Sequence, residues 1–167
     1  MIKPIAIVGF YGNKKSVVAQ LVAAQTNMPF SDLYSEIEKL SGTRINSLYE
    51  KMGGLVFGKF ESLALSSLAA SGGVVAASGG CVDVPYNRRV FKESFFTVYL
   101  DAPFEYIYPN IARVRRPTIA GLSRDELKTL YGKRRPIYEE ISDCTIDATL
   151  PVSEIKDKVI ELALTEV

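Results

Sequence analysis

Pro4-Ile-Ala-Ile-Val-Gly9-Phe-Tyr-Gly12-Asn-Lys14-Lys15-Ser16 is the stretch on which the reading of this chain turns. Its first half, Pro4 to Phe10, is a short β-branched run closing on glycine, the pattern of a strand buried on both faces of a parallel sheet. Val17, Leu21 and Ala24 follow at helical spacing. Between strand and helix, Gly9, Lys15 and Ser16 satisfy the pattern G-x-x-x-x-G-K-[ST], with Lys14 standing where the second glycine belongs. In such a turn, backbone N–H groups curl around phosphate oxygens and the helix N-terminus adds partial positive charge. Gly9, Gly12, Asn13 and Lys14 would supply that backbone and Lys15 would reach the β and γ phosphates. Ser16 would offer its hydroxyl to Mg²⁺. A left-handed backbone at Lys14 would cost about 1–2 kcal/mol, part of it offset by the extra charge toward an anion. The competing reading is a plain strand-to-helix turn that happens to hold glycine and lysines.

Outward from that turn, short apolar runs alternate with helical text to the C-terminus, as in an α/β fold with a parallel sheet. Pro29–Asp32 is a second strand, and Ser35 with Glu38 has capping-box spacing for a helix beginning near Ser35. Helical segments cover Ile45–Met52 and about Val56–Ala70. Gly72-Gly73 stops the latter, and Val74–Ala77 is a third strand. Pro85 opens a helix to about Lys92, and Thr97–Leu100 is a fourth strand. Asp101 and Pro103 start a helix that Pro109 keeps short. Residues 113–121 read as a mobile basic loop with turns at Arg116-Pro117 and Ala120-Gly121. Ser123 and Glu126 form a second capping box, for a helix to about Ser142. Cys144–Ala148 is a fifth strand, and the closing helix has Ile155, Val159 and Leu162 on one face.

The 167 residues suit one domain, 1–167, with a core of its own and no linker or repeat. A net charge of +1 gives no global field for nucleic acid or an anionic membrane. With no histidine in the chain, His-based acid/base chemistry, Ser-His-Asp triads and His-ligated metals are excluded. Catalysis must use carboxylates, Lys, Arg, Cys or backbone groups. Cys81 and Cys144 have no metal spacing and read as two buried thiols in a reducing compartment. The N-terminal apolar run is too short for a signal peptide. Ser62–Val82 carries no charge, yet its glycine pairs break it as a membrane span. The expectation is a cytoplasmic monomer acting on a nucleotide and a small molecule, with no nucleic acid or membrane partner.

Further text joins the phosphate turn. Phe30-Ser-Asp32 precedes Ile37-Glu38, Phe57 stands with Glu61, and Gly79-Gly80 follows the third strand. Then come Val98-Tyr-Leu-Asp101-Ala-Pro, Arg116-Pro-Thr-Ile-Ala-Gly121 and Lys133-Arg134-Arg-Pro136-Ile-Tyr138-Glu-Glu. With these motifs the chain resembles the shikimate kinase family over nearly its whole length. The resemblance implies a three-layer P-loop kinase fold, five parallel strands in order 2-3-1-4-5 flanked by helices. It also implies a substrate-binding segment at about 33–61 and a lid at about 112–122. The implied reaction moves the ATP γ-phosphate to the 3-hydroxyl of shikimate, a step of aromatic amino acid biosynthesis, with ATP and Mg²⁺. Position by position, it makes Lys15, Asp32 and Arg116 catalytic, with Arg116 also closing over ATP. Ser16 and Asp32 would manage the metal, and Asp32, Glu61, Gly79, Gly80 and Arg134 would hold the acceptor.

The chain departs from the family pattern where the acceptor would bind. The second of two family aspartates, which binds substrate hydroxyls and is a proposed base, is Tyr34 here. The arginine that grips the acceptor carboxylate is Gly58, the glycine triplet reads Ser78-Gly79-Gly80, and an arginine near the adenine falls at Asn110. Losing an arginine from a desolvated carboxylate costs roughly 2–5 kcal/mol, and losing a general base costs about 10²–10⁴ in rate. Weakened or altered acceptor binding is therefore expected. Two rivals stay open: a catalytically inactive nucleotide- or anion-binding homologue with a regulatory or partner role, and a kinase for an acceptor without a carboxylate. Single residues also have plainer readings. Asp32 could be a helix N-cap, Arg134 a salt-bridge partner of Glu139 or Glu140, Gly79-Gly80 a strand-end turn, and Tyr34 a filler of the vacated pocket. Arg116 and its neighbours could be a solvated face. Against that, eight of the twenty basic residues lie between Arg113 and Arg135, where only Asp125 and Glu126 are acidic.

Overall fold

The computed structural model describes residues 2–113 and 115–165. Its strands are β1 (Ile5–Val8), β2 (Phe30–Asp32), β3 (Val74–Ala76), β4 (Phe96–Asp101) and β5 (Cys144–Asp147). All pair in parallel, in the order β2-β3-β1-β4-β5. Ile5 lies opposite both Val74 and Phe96, so β1 is the central strand, and its four residues are buried. A run of β-branched and small side chains suits a strand covered on both faces.

The helices are α1 (Lys15–Thr26), α2 (Leu33–Ser41), α3 (Ile45–Ser71), α4 (Pro85–Ser94), α5 (Phe104–Ile111), α6 (Arg124–Ile141) and α7 (Val152–Thr165). α1 crosses from β1 past β3 to β2, whereas α3, α4 and α6 lie on crossovers that run the other way. Right-handed crossovers then put α1 on one face and the other three on the opposite one. The packing agrees: α1 lies against α7, and α4 against both α3 and α6. α3 breaks at Gly53 (φ 76°, ψ 175°), which divides it into the two helical segments expected from the sequence.

The second capping box forms as its spacing predicts, with Ser123 and Glu126 bonded reciprocally. The first does not. β2 runs straight into α2, so Asp32 is the N-cap, its Oδ1 accepting from Tyr34 N and Ser35 N. Glu38 turns instead to the start of α3 and accepts from Ile45 N at 3.2 Å. In α7 the inward face is Ile155, Val159 and Ala163, while Leu162 is exposed. Cys81 is buried, but Cys144, near the sheet edge, is only half-buried. Pro109 sits inside α5, which continues to Ile111. In the basic stretch 113–121, Val114 lies outside the described residues, and Pro117–Ile119 forms a 3₁₀ turn that buries Ile119. Among the described residues no helix is long and apolar enough to cross a membrane.

One buried charge affects stability. Glu61, on α3, is 6% exposed and accepts a hydrogen bond from Ser78 Oγ at 2.8 Å. Burial pushes its carboxyl up to about 7, against the opposing pull of Ser78 and Arg134. Unfolded, it titrates near 4.5. Between these values the folded chain holds the proton more tightly than the unfolded chain, so stability falls as pH rises through this window. Above it the ionised form costs about 3 kcal/mol. Glu61→Gln keeps the shape and an acceptor for Ser78 but never ionises. It is expected to match the parent below about pH 4.5 and to exceed it by about 2–3 kcal/mol near pH 8. Urea melts at both pH values check this, and coincident curves at pH 8 would refute it.

Candidate active site

The carboxyl ends of β1, β2 and β3 face the N-terminus of α1 across a cleft of about 430 Å³. Residues 11–17, Asp32, Tyr34, residues 76–79, Asn110, Ile111 and Arg116 line it. The loops leaving β1 and β3 depart to opposite faces, which is where a parallel sheet opens a crevice.

The turn from Gly9 to Lys14 is fastened from beneath. Asn13 is buried, and its Nδ2 donates to Leu100 O at 2.9 Å. Gly9 has φ 146°, and a β-carbon there would collide with the Asn13 amide and Leu100 O. Asn110 Nδ2 donates to Gly12 O at 3.1 Å, so the position where the resemblance places an arginine here ties down the turn. Lys14 is left-handed (φ 67°, ψ 23°), the strained conformation foreseen for it. Its side chain leaves the turn: Nζ donates to the Tyr106 hydroxyl at 3.1 Å and lies 5.4 Å from the ring centroid. The Lys14 side chain therefore does not fill the turn.

Lys15 Nζ donates to Gly9 O (2.9 Å), Phe10 O (2.8 Å) and Asn13 Oδ1 (3.2 Å). Burial, then the nearby Arg116, lowers its ammonium to about 7. Ser16 Oγ donates to Asp32 Oδ2 at 3.1 Å. Asp32 is thus both the N-cap of α2 and the partner of Ser16. A hydroxyl and a carboxylate side by side suit a hard cation whose other ligands are water and phosphate oxygens, so the donor set fits Mg²⁺. Among the described residues no group of three or more His, Cys, Asp or Glu offers a fuller metal site.

Arg116 lies over the Tyr34 ring, 5.1 Å from its centroid. Tyr34 in turn packs against Phe57, and Phe57 against Tyr49. Burial holds the Tyr34 hydroxyl well above its ordinary range, so it stays protonated at neutral pH. Of the eight basic residues between Arg113 and Arg135, Arg124 and Lys128 pair with Glu105, Arg134 with Asp83, and Arg135 with Asp101. Acids from outside the segment therefore balance half of that surplus, and Arg116 is the member that reaches the cleft.

The expected acceptor residues divide. Asp32 and Gly79 line the cleft, whereas Glu61, Gly80 and Arg134 are not among the lining residues described. Arg134 pairs with Asp83 rather than Glu139 or Glu140: Nε and Nη2 donate to its carboxylate at 3.1 and 2.8 Å. Its Nη1 donates to the Tyr11 hydroxyl at 3.0 Å. Glu61 makes its hydrogen bond to Ser78 instead of a pair with Arg134. Gly58, lacking a side chain, opens a shallow groove of about 530 Å³ bounded by Leu55, Leu63, Val84 and Tyr86. Sequence reasoning passed over Tyr11 and Asp83. Tyr11 occupies an unconstrained position of the phosphate pattern, and Asp83 lies 51 residues from the arginine it holds.

Comparison with known proteins adds to this geometry. A profile described as shikimate kinase matches residues 11–163. The shikimate kinase of Bordetella avium is 32% identical over 91% of this chain and 75% of that protein, and the one from Aquifex aeolicus is 29% identical over 93% of each. The shikimate kinase of Acinetobacter baumannii, solved in complex with shikimate, superposes with a TM-score of 0.92 over 99% of this chain and 95% of that one, at 26% identity. A sugar kinase from Janibacter, 16% identical with a TM-score of 0.63, shares the fold over 96% of this chain and 94% of its own. With the phosphate turn, the strand order and the match along most of its length in agreement, this chain belongs to the shikimate kinase family of ATP-dependent phosphotransferases.

Proposed function

We propose that this protein is a cytoplasmic kinase that moves the γ-phosphate of ATP to a hydroxyl of shikimate or a closely related small molecule, with weakened or altered acceptor binding. The observation that carries the reading is the convergence of Lys15, Ser16, Asp32 and Arg116 on one cleft at the N-terminus of α1. The segment at about 33–61 supplies the acceptor side, and the segment at about 112–122 acts as the lid that carries Arg116.

The donor half works through charge and position. Backbone N–H groups of the turn and the start of α1 face the phosphates. Lys15 exchanges its carbonyl partners for phosphate oxygens, and the anion restores the proton that burial disfavours. Its ammonium then stabilises charge on the transferring group, with Arg116 on the other side. Ser16 and Asp32 would hold Mg²⁺, which when bound neutralises charge on the β and γ phosphates. Tyr34, kept protonated, is no base at neutral pH. The acceptor hydroxyl therefore gives up its proton late, to an oxygen of the transferred phosphoryl group, as a loose transition state permits.

Coupled measurement of ADP release with ATP, Mg²⁺ and shikimate is expected to show saturable turnover that depends on the acceptor; release indifferent to any acceptor would refute the transferase reading. Lys15→Met, which keeps the length but loses the charge, should lower kcat by at least about 10²-fold.

A second prediction concerns the departures from the family pattern. A β-carbon at Gly58 would meet only Val84 Cγ2, at 3.8 Å, so a side chain is sterically admitted there. Tyr34→Asp combined with Gly58→Arg is expected to raise kcat/KM for shikimate by about 10²-fold or more. No gain in steady-state assays would show that the acceptor side is built on different contacts.

A further inference from the structure

We infer that Tyr11 sets the acceptor specificity of this site, screening Arg134 so that the cleft takes an uncharged, hydroxyl-bearing small molecule in preference to a carboxylate. The inference rests on the kinase reading and specifies its acceptor.

Tyr11 is held on several sides. A β-carbon at Gly79 would lie 2.8 Å from the Tyr11 ring, so the absence of a side chain there is what lets the ring lie flush against the backbone. Phe10 meets the ring edge-on at 4.9 Å between centroids. The hydroxyl accepts from Arg134 Nη1 at 3.0 Å and lies 3.3 Å from Thr118 Oγ1. Only 5% of Tyr11 is exposed, yet it lines the cleft, whereas Arg134 behind it does not.

An entering molecule therefore meets a phenol in front of the guanidinium. Three of the five N–H groups of Arg134 already have partners, two on Asp83 and one on Tyr11. From the cleft, which Tyr11 lines and Arg134 does not, a carboxylate has to pass the Tyr11 hydroxyl to reach the guanidinium, and it would arrive beside the charge of Asp83. With Tyr11 in place Arg134 is not open to the cleft, and the arginine that does line it, Arg116, lies over the Tyr34 ring. An uncharged polyol has no such requirement. Its hydroxyls can exchange hydrogen bonds with the Tyr11 hydroxyl, which lines the cleft.

Shikimate and its methyl ester differ by one charge and serve as the probe pair. Tyr11→Phe keeps the ring against Gly79 and Phe10 but removes the oxygen from Arg134. Titration calorimetry of both compounds, with wild type and variant, reads the ratio of their affinities. The wild type is expected to bind the ester at least as tightly as shikimate. In Tyr11→Phe, shikimate should gain about tenfold or more while the ester stays within about twofold. An unchanged ratio, or no shikimate binding by the variant, overturns the inference. Should Tyr11→Phe fail to fold, Tyr11→Met removes the same oxygen and answers the same question. ATP·Mg²⁺ is titrated into the same samples. Loss of that binding in the wild type would strike the kinase reading itself, whereas normal ATP binding with an unmoved acceptor ratio strikes only the role of Tyr11.

Discussion

The phosphate turn keeps its shape because one amide is buried beneath it. Asn13 Nδ2 reaches across the end of the sheet to Leu100 O, binding the turn after β1 to the last residues of β4. A buried amide without this partner would cost about 1–3 kcal/mol, so the contact resists opening. The same amide occupies the space where a Gly9 side chain would project, and its Oδ1 accepts from Lys15. The strained Lys14 then follows, because the chain must pass from this anchored turn into α1 within one residue. Its exit toward Tyr106 recovers some of that strain through a hydrogen bond and a cation–π contact. A position where glycine would be unstrained is thus filled by lysine without closing the turn.

The donor half of the site was legible in the sequence because local geometry dictates it. A buried β-branched strand, a glycine-bearing turn and a helix beginning at Lys15 are consecutive, and each restricts the next. The same holds for the strand order once the resemblance is admitted, and for the Ser123 cap, whose partners lie three residues apart. What the sequence concealed are contacts between distant residues. The Ser35–Glu38 spacing looked like a cap, but the direct passage from β2 to α2 left Asp32 as the only residue at the entrance. Asp83 gives no local sign that it will hold Arg134. Leu162 and Ala163 differ only in which faces α1, and the larger residue is the one left in solvent.

The acceptor half shows a redistribution of charge in which several unusual residues act together. Gly58 leaves Glu61 without a cationic neighbour from α3, and Ser78 supplies a neutral hydrogen bond in its place. Arg134 acts on Glu61 only through its field, its hydrogen bonds going to Asp83 and Tyr11. Tyr34 brings an aromatic face and a protonated hydroxyl to a place where the resemblance puts a carboxylate. Around Tyr11 and Tyr34 the wall that results is built from rings and hydroxyls, with Arg134 and Glu61 held away from the cleft lining.

These two halves bear on each other through Arg116. Its guanidinium rests on Tyr34, on the acceptor side, while its field is one of the causes that depress the Lys15 ammonium on the donor side. Burial first, and repulsion between the two cations second, leave Lys15 only about half protonated at pH 7 when no anion lies between them. On the proposed kinase reading, a polyphosphate placed between the two cations would reverse that balance by pairing with each. The aromatic contact with Tyr34 favours keeping Arg116 at the cleft despite its repulsion of the Lys15 ammonium. Tyr34, read from the sequence as a loss on the acceptor side, therefore contributes to holding the donor side ready.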